Sequence, residues 1–321
     1  MIILYKLTVA VITYNRANYL KEMLDSILMQ TYSQFYVRIY DNCSTDNTTE
    51  VVLPFLADKR FFYFRHDTTI ANNINFALQD CKTGYLLIVH DDDIMLPDMV
   101  KEEVSILDQF DEVSIVSTNM HHIDKDGKLI GCSVLSKWIP SGCFINNREY
   151  IDILINRGNG IACPTVMFRM AIIRQHNLSF KAKIGGARDC YLWLELNQLE
   201  HKFYCIPKPL YNYRIHVAQD SANSPFLLSY LRKPVYELLS KNNYLSATKR
   251  KWLKYIDKFV IMEMYNNGYR AFLQIKDTVL LHNHYDWTLF LGMFYKLYVR
   301  SVIEKSTFYP YAKKIKKLLC K

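Results

Sequence analysis

The first 110 residues alternate two periods of apolar positions. Residues 7–13 are rich in β-branched side chains, whereas Leu20, Met23, Leu24, Ile27 and Leu28 recur at helical spacing. Residues 37–40 and 61–65 read as further short strands and residues 70–82 as a helix. Residues 85–90 form a nearly unbroken apolar run, as in a strand covered on both faces. Pro97 stands where the next helix would start, with Asp98 in its first turn ahead of Val100, Val104 and Leu107. Such alternation predicts an α/β fold, a largely parallel sheet with helices on both faces. It also sets three polar clusters, residues 13–16, 41–46 and 91–93, just past the carboxyl ends of strands. Open α/β sheets bind ligands at that edge, so the three clusters are expected to converge on one site.

The pattern changes twice further on. Residues 116–224 mix short strands with loops and hold seven of the ten glycines; from residue 225 the chain turns helical, aromatic and basic. The predicted organisation is therefore an α/β region over 1–115, a second region of the same domain over 116–224, and a helical extension over 225–321. With 321 residues, half of them apolar, a full core is expected. The eight cysteines include no CxxC pair and fit reduced thiols in a cytoplasmic protein. The apolar start, residues 1–15, lacks a basic leader and a cleavage site and reads as a buried first strand. No apolar run is long enough to span a membrane; the nearest, residues 287–299, contains Lys296.

Net charge is +9, unevenly spread. Residues 225–321 carry 18 Lys and Arg against 6 Asp and Glu, which leaves 22 against 25 for residues 1–224. The part with the polar clusters is thus mildly acidic, which argues against a nucleic-acid binder. In the basic third, Lys313, Lys314, Lys316 and Lys317 alternate with Ile315, Leu318 and Leu319. That segment is expected either to dock on an anionic membrane surface, placing the protein on the inner face, or to be a solvated terminal helix.

The first glycine is Gly84, so no glycine-rich loop follows the first strand. That excludes a dinucleotide fingerprint and a P-loop, both of which need glycine there to approach phosphate. Phosphate bound at this edge would need another source of positive charge, and a carboxylate-held Mg²⁺ or Mn²⁺ suits the residues present. Asp91, Asp92 and Asp93 stack three like charges at a strand end, either as a metal site or as a solvated loop that helps start the next helix. Asp41 and Asn42 can bond a base or ribose or form an Asx-turn, with Ser44 or Asp46 capping a helix from about residue 46. Thr13, Tyr14, Asn15 and Arg16 suit a ligand loop or a plain strand-to-helix turn.

Three segments, LTVAVITYNRANYLKEMLDSILMQTY, VRIYDNCSTDNT and INFALQDCKTGYLLIVHDDDIMLPD, together with RDCYLWLEL (188–196) and PLYNYRIHVAQDS (209–221), resemble glycosyltransferase family 2. The resemblance covers residues 5–221 in consistent order. It implies the GT-A fold, inverting transfer of a sugar from a nucleotide diphosphate, most simply a UDP-sugar, and a saccharide or lipid-linked acceptor. By that resemblance Thr13, Tyr14 and Asp41 contact the base, with Asn15, Arg16 and Asn42 beside them, and Asp91 the ribose. Asp92, or its neighbour Asp93, ligates the metal. Asp189 is the catalytic base, and Arg214 with His216 holds the diphosphate or completes the metal shell. The chain departs from the pattern at Arg188, where an acidic residue often stands, and ahead of residues 74–78, where Arg65 is the nearest basic substitute for an expected arginine. A sugar-nucleotidyltransferase would want a glycine-rich basic loop after the first strand. An inactive glycan-binding scaffold would have no use for both Asp92 and Asp189.

Overall fold

The computed structural model describes residues 5–68, 70–133, 143–217, 219 and 228–267. The chain divides into two compact units, Met1–Asn223 and Ser224–Lys321.

The first unit is built on one sheet. Its strands are β1 (Leu7–Thr13), β2 (Phe35–Asp41), β3 (Phe61–Arg65), β4 (Tyr85–His90), β5 (Ile94–Met95), β6 (Val113–Ile123), β7 (Leu129–Cys132), β8 (Phe144–Ile145), β9 (Val166–Arg169) and β10 (Lys202–Arg214). They lie in the order β3-β2-β1-β4-β9-β6-β10-β5, with β7 paired to β6 and β8 to β10. β3, β2, β1 and β4 are mutually parallel, β9 runs antiparallel between β4 and β6, and β10 is parallel to β6. The strand order reverses where β4 joins the far side of β1, so the loops after β1, β2 and β4 open at one crevice.

All seven residues of β1 are buried, which suits a central strand covered on both faces. Leu7, Val9 and Val11 join Leu20, Met23, Leu24 and Ile27 of α1 (Ala17–Leu28) in one core. The same core takes in Val100, Val104 and Leu107 from the later helix Met99–Gln109. α2 (Thr48–Val52) follows β2, and α3 (Ile70–Asp80) packs on β1, β2 and β4.

The helix expected from Pro97 begins two residues later, as α4 (Met99–Gln109). β5 pairs with β10 and Leu96 N–H donates to Leu210 O at 3.0 Å, and Pro97 and Asp98 then form a turn that Met99 N–H closes on Leu96 O at 3.1 Å. Asp98 is therefore the residue before the helix; its carboxylate accepts from Thr31 Oγ1 at 2.9 Å and caps nothing. α5 (Tyr150–Arg157), α6 (Met170–Gln175) and α7 (Arg188–Leu196) complete the unit.

In the second unit α8 (Arg232–Lys241) and α9 (Ser246–Asn267) form a hairpin. Val235, Leu239, Trp252, Ile256 and Val260 are buried at helical spacing, and buried Arg232 donates to Asp257 at 2.6 Å. Among the described residues no helix is long and apolar enough to cross a membrane. The basic segment 311–321 lies outside the described residues.

Candidate active site

The three polar clusters do meet. Thr13, the last residue of β1, donates its hydroxyl to Asp91 Oδ2 at 2.8 Å, and Tyr14 N–H reaches the same oxygen at 3.2 Å. Arg16 places one guanidinium nitrogen 3.1 Å from Asp91 Oδ1 and 3.2 Å from Asp92 Oδ2. The turn after β1 is laced to the turn after β2: Asn15 N–H donates to Ser44 Oγ at 2.9 Å, and Thr45 N–H donates to Asn15 Oδ1 at 2.7 Å. Asn15 and Cys43 hold φ of 52° and 56°. These turns take the left-handed backbone without glycine, a strain of the kind that ligand sites retain.

Asp41 is fully buried at the end of β2. Its Oδ1 accepts from Ser44 N–H at 2.9 Å and Ser44 Oγ at 2.6 Å, which is the expected Asx-turn. Its Oδ2 accepts from Tyr63 OH at 2.6 Å, with Arg65 Nε at 3.6 Å. Burial, reinforced by the bond to Asp41, pushes the Tyr63 phenol up to about 12, so Tyr63 donates at any physiological pH. Arg65 also donates to Ser44 O at 2.9 Å, which puts the substitute arginine beside Asp41. Asn42 is held from α3 by Asn73. Asp46 binds Thr48 N–H at 3.1 Å and Ala17 N–H at 3.0 Å, so one carboxylate serves the starts of α2 and α1. Tyr14 is half exposed at the rim.

Asp91, Asp92 and Asp93 are all buried, and β10 closes over them. Asp93 accepts from Tyr211 OH at 3.0 Å and Arg214 N–H at 2.7 Å. The Arg214 guanidinium, fully buried, spends its donors inside the protein. Nε bonds Asp92 O at 2.6 Å, one terminal nitrogen the carbonyls of Asp124 and Lys125 at 3.3 and 3.1 Å, and the other Glu22 at 2.7 Å. Its plane lies over Tyr19, 4.5 Å from the ring centre. His216 Nε2 is 2.9 Å from Asp92 Oδ2.

Even with these donors the cluster is short of positive charge. Burial, with Asp92 alongside, pushes the Asp91 carboxyl up to about 7 and Asp93 well above the usual carboxylate range. His90, Asp92 and Asp93 can each direct one ligand atom to within 4.8 Å of the others. Two carboxylates and an imidazole at a site in excess negative charge fit a divalent cation of the Mg²⁺ or Mn²⁺ type.

Asp189 has different surroundings. It sits in the first turn of α7, half-buried, and accepts from Cys190 N–H at 2.7 Å. Burial raises its carboxyl to about 6, against the pull of that N–H and of Arg188.

Sequence reasoning missed His90, Tyr63, Tyr211 and Glu22. His90 had a signal, a polar residue that ends a buried strand directly ahead of the acidic run. Tyr63 lies two residues before Arg65, the residue opposite Asp41 in the β2–β3 register, and strand alternation could have found it. Tyr211 and Glu22 carry no local mark, because their partners are 118 and 192 residues away.

An α/β sheet whose loops after β1, β2 and β4 converge on one crevice over a buried acidic floor defines the class. Residues 8–176 match the model of Glycosyl transferase family 2, and the chain belongs to that family. An uncharacterised glycosyltransferase of Rickettsia conorii is 28% identical over 192 residues, 60% of this chain and 30% of the relative. The poly(ribitol-phosphate) beta-N-acetylglucosaminyltransferase TarS of Staphylococcus aureus is 25% identical over 190 residues, 57% of this chain and 31% of TarS. The chain thus matches about 30% of the length of these relatives. Among solved structures, S. aureus TarS 1–349 in complex with UDP superposes with a TM-score of 0.60 at 19% identity, covering 91% of this chain and 80% of that one. A mannosyltransferase of Pyrobaculum calidifontis in complex with GDP-Man and Mn²⁺ gives 0.52 at 15% identity, covering 94% and 88%. The fold is GT-A.

Proposed function

We propose that the protein is an inverting glycosyltransferase that takes a sugar from a nucleoside diphosphate, a UDP-sugar by preference, and places it on an acceptor hydroxyl in polysaccharide or glycoconjugate synthesis. The observation that carries this reading is the convergence of Thr13–Arg16, Asp41–Asn42 and Asp91–Asp93 at one sheet edge, closed by Arg214 and His216. TarS has been crystallised with UDP and with UDP-GlcNAc, which favours a UDP-sugar here.

In this reading Tyr14 lies against the base, Asp41 and Asn42 bond base or ribose, and Asp91 orients the ribose side with Thr13 and Arg16. His90, Asp92 and Asp93 would hold Mn²⁺ or Mg²⁺, with His216 beside Asp92. The ion, when bound, offsets charge developing on the departing nucleoside diphosphate. Arg214 acts by fixing the Asp92 carbonyl and the Asp93 carboxylate rather than by reaching a phosphate, since its donors are committed. Asp189 takes the proton from the acceptor hydroxyl as that oxygen attacks the anomeric carbon opposite the leaving group, so configuration inverts. A carboxyl near 6 is ionised at neutral pH yet more basic than an exposed aspartate, which suits that role.

The acceptor is a saccharide or a lipid-linked saccharide in this reading, and the basic 225–321 segment draws the protein to an anionic surface on the inner membrane face. Each basic residue close to such a surface contributes about 1 kcal/mol. Removing residues 311–321 should weaken partition onto anionic vesicles, and unchanged partition removes that element.

The test of the function is a screen of nucleotide sugars for nucleoside-diphosphate release with Mn²⁺ and with chelator. Release confined to metal and to one nucleotide class is expected. No release from any donor, with the protein folded, rejects the reading.

A further inference from the structure

The stretch that leads into Asp189 carries a charge pattern that transfer to a neutral sugar does not need. Residues 181–188 read KAKIGGAR, with Lys181, Lys183 and Arg188 and no acidic residue among them, in a region, residues 1–224, that is otherwise mildly acidic. Lys183 is exposed, and Lys181 and Arg188 are half-exposed.

The backbone explains how Arg188 is held. Gly185, at φ 65° and ψ −141°, adopts a conformation closed to side-chain-bearing residues and kinks the short helical turn Ala182–Ala187. Arg188 then folds back, and its Nε donates to Gly185 O at 2.8 Å. Among the described residues nothing else bonds the guanidinium, so its stem is fixed and its terminal N–H groups are open. A guanidinium held this way offers the planar fork that fits a carboxylate or a phosphate, with little rotamer entropy left to lose on binding. It stands one residue from the group that meets the attacking hydroxyl.

We propose that this loop selects an acceptor carrying an anionic group, a phosphodiester or a carboxylate, next to the hydroxyl that is glycosylated, with Arg188 as the fork and Lys183 as the outer charge. The proposal rests on Asp189 being the acceptor-side base. It deepens the reading above by naming the acceptor's chemistry.

The experiment measures acceptor Kd and, where transfer occurs, KM and kcat, with matched soluble probes. A glycerol-phosphate oligomer is set against glycerol, and a hexuronic-acid oligosaccharide against its neutral hexose counterpart, which separates phosphate from carboxylate. The wild type should prefer one anionic probe by about tenfold or more, and the preference should shrink as salt is raised. Arg188→Gln should bring anionic and neutral probes to within about twofold, and Arg188→Lys should restore part of the difference. A charge-blind wild type, a preference that survives Arg188→Gln, or no binding of either anionic class overturns the proposal. The two failures are distinguishable. Donor turnover with charge-blind acceptor use rejects only the acceptor proposal; an Arg188-dependent binding preference in a protein that turns over no donor leaves an anion site but rejects the transferase, and with it the role of that site in acceptor selection.

Discussion

Asp92 and Asp189 are carboxylates of the same unit, yet their surroundings have opposite character. Asp92 lies between two other buried carboxylates and is contacted by Arg16 and His216, while its own carbonyl is clamped by Arg214. Asp189 has no second carboxylate in contact among the described residues; backbone N–H groups and the charge of Arg188 face it, and burial outweighs them. The first arrangement concentrates negative charge and then supplies donors to hold it in place, as a cation site requires. The second leaves a lone carboxyl with a raised affinity for a proton, as a base requires.

The largest effect should come from removing the proton acceptor. Asp189→Asn should cut single-turnover rate roughly 10²- to 10⁴-fold, with nucleotide affinity retained. The sign of the stability change is also set. A carboxyl raised from 3.8 to about 6 on folding costs stability progressively as pH rises between those values and fully above them. The variant should therefore melt no lower than wild type at pH 7.5. A variant that is destabilised but fully active would return Asp189 to a helix-start residue.

Next in size is Asp92→Asn. Nucleoside-diphosphate binding should weaken about 10- to 100-fold in Mn²⁺ and little in chelator, because the carboxylate acts through the ion. Equal loss in both titrations would make Asp92 a direct ligand contact and erase the contrast with Asp189.

A pH profile sharpens the same contrast. The rate of transfer should fall about tenfold per unit below pH 6, as Asp189 takes up its proton, and stay level above it. An acid limb that persists unchanged in Asp189→Asn would assign the titration elsewhere.

The smallest effect concerns a buried acid with no such function. Glu103 on α4 is fully buried, neither oxygen has a hydrogen-bond partner among the described residues, and burial pushes its carboxyl well above the usual range. Glu103→Met should stabilise by about 1–3 kcal/mol near neutral pH. The part of the gain that comes from titration should be absent well below pH 4.5, where both states are protonated, and should grow as pH rises, while the part that comes from the unpartnered carboxyl persists. Thermal melts at pH 4 and pH 7.5 check it; a loss at both values would show that Glu103 bonds something.

The carboxyl-edge clusters were legible because strand period and chain order carry them. Residues 7–13, 61–65 and 85–90 fall on β1, β3 and β4 with no shift at either end. The start of α4 was misread because Pro97 is a valid first helical residue, whereas here it forms the corner of a turn that Met99 N–H closes on Leu96 O, just after β5 has paired with β10. His90 was passed over beside three louder aspartates. The tertiary reach of Arg214 to Glu22 follows from the path of β10, whose register against β6 shifts twice between Ile206 and Tyr211, and no local rule predicts two bulges.

That path has a consequence for the order in which the site is assembled during synthesis. The acidic run, the two loops it meets and Arg16 lie within the first 95 residues, but the β10 groups that hold Asp93 and the Asp92 carbonyl are encoded about 120 residues later. At typical elongation rates the ribosome needs roughly 6–24 s to cover that interval. Throughout it the nascent chain holds three clustered carboxylates without their latch, so β10 sets the late step of maturation. A nascent chain stopped before Tyr211 should expose those carboxylates to solvent and bind nucleotide only once the strand has been threaded beside β6.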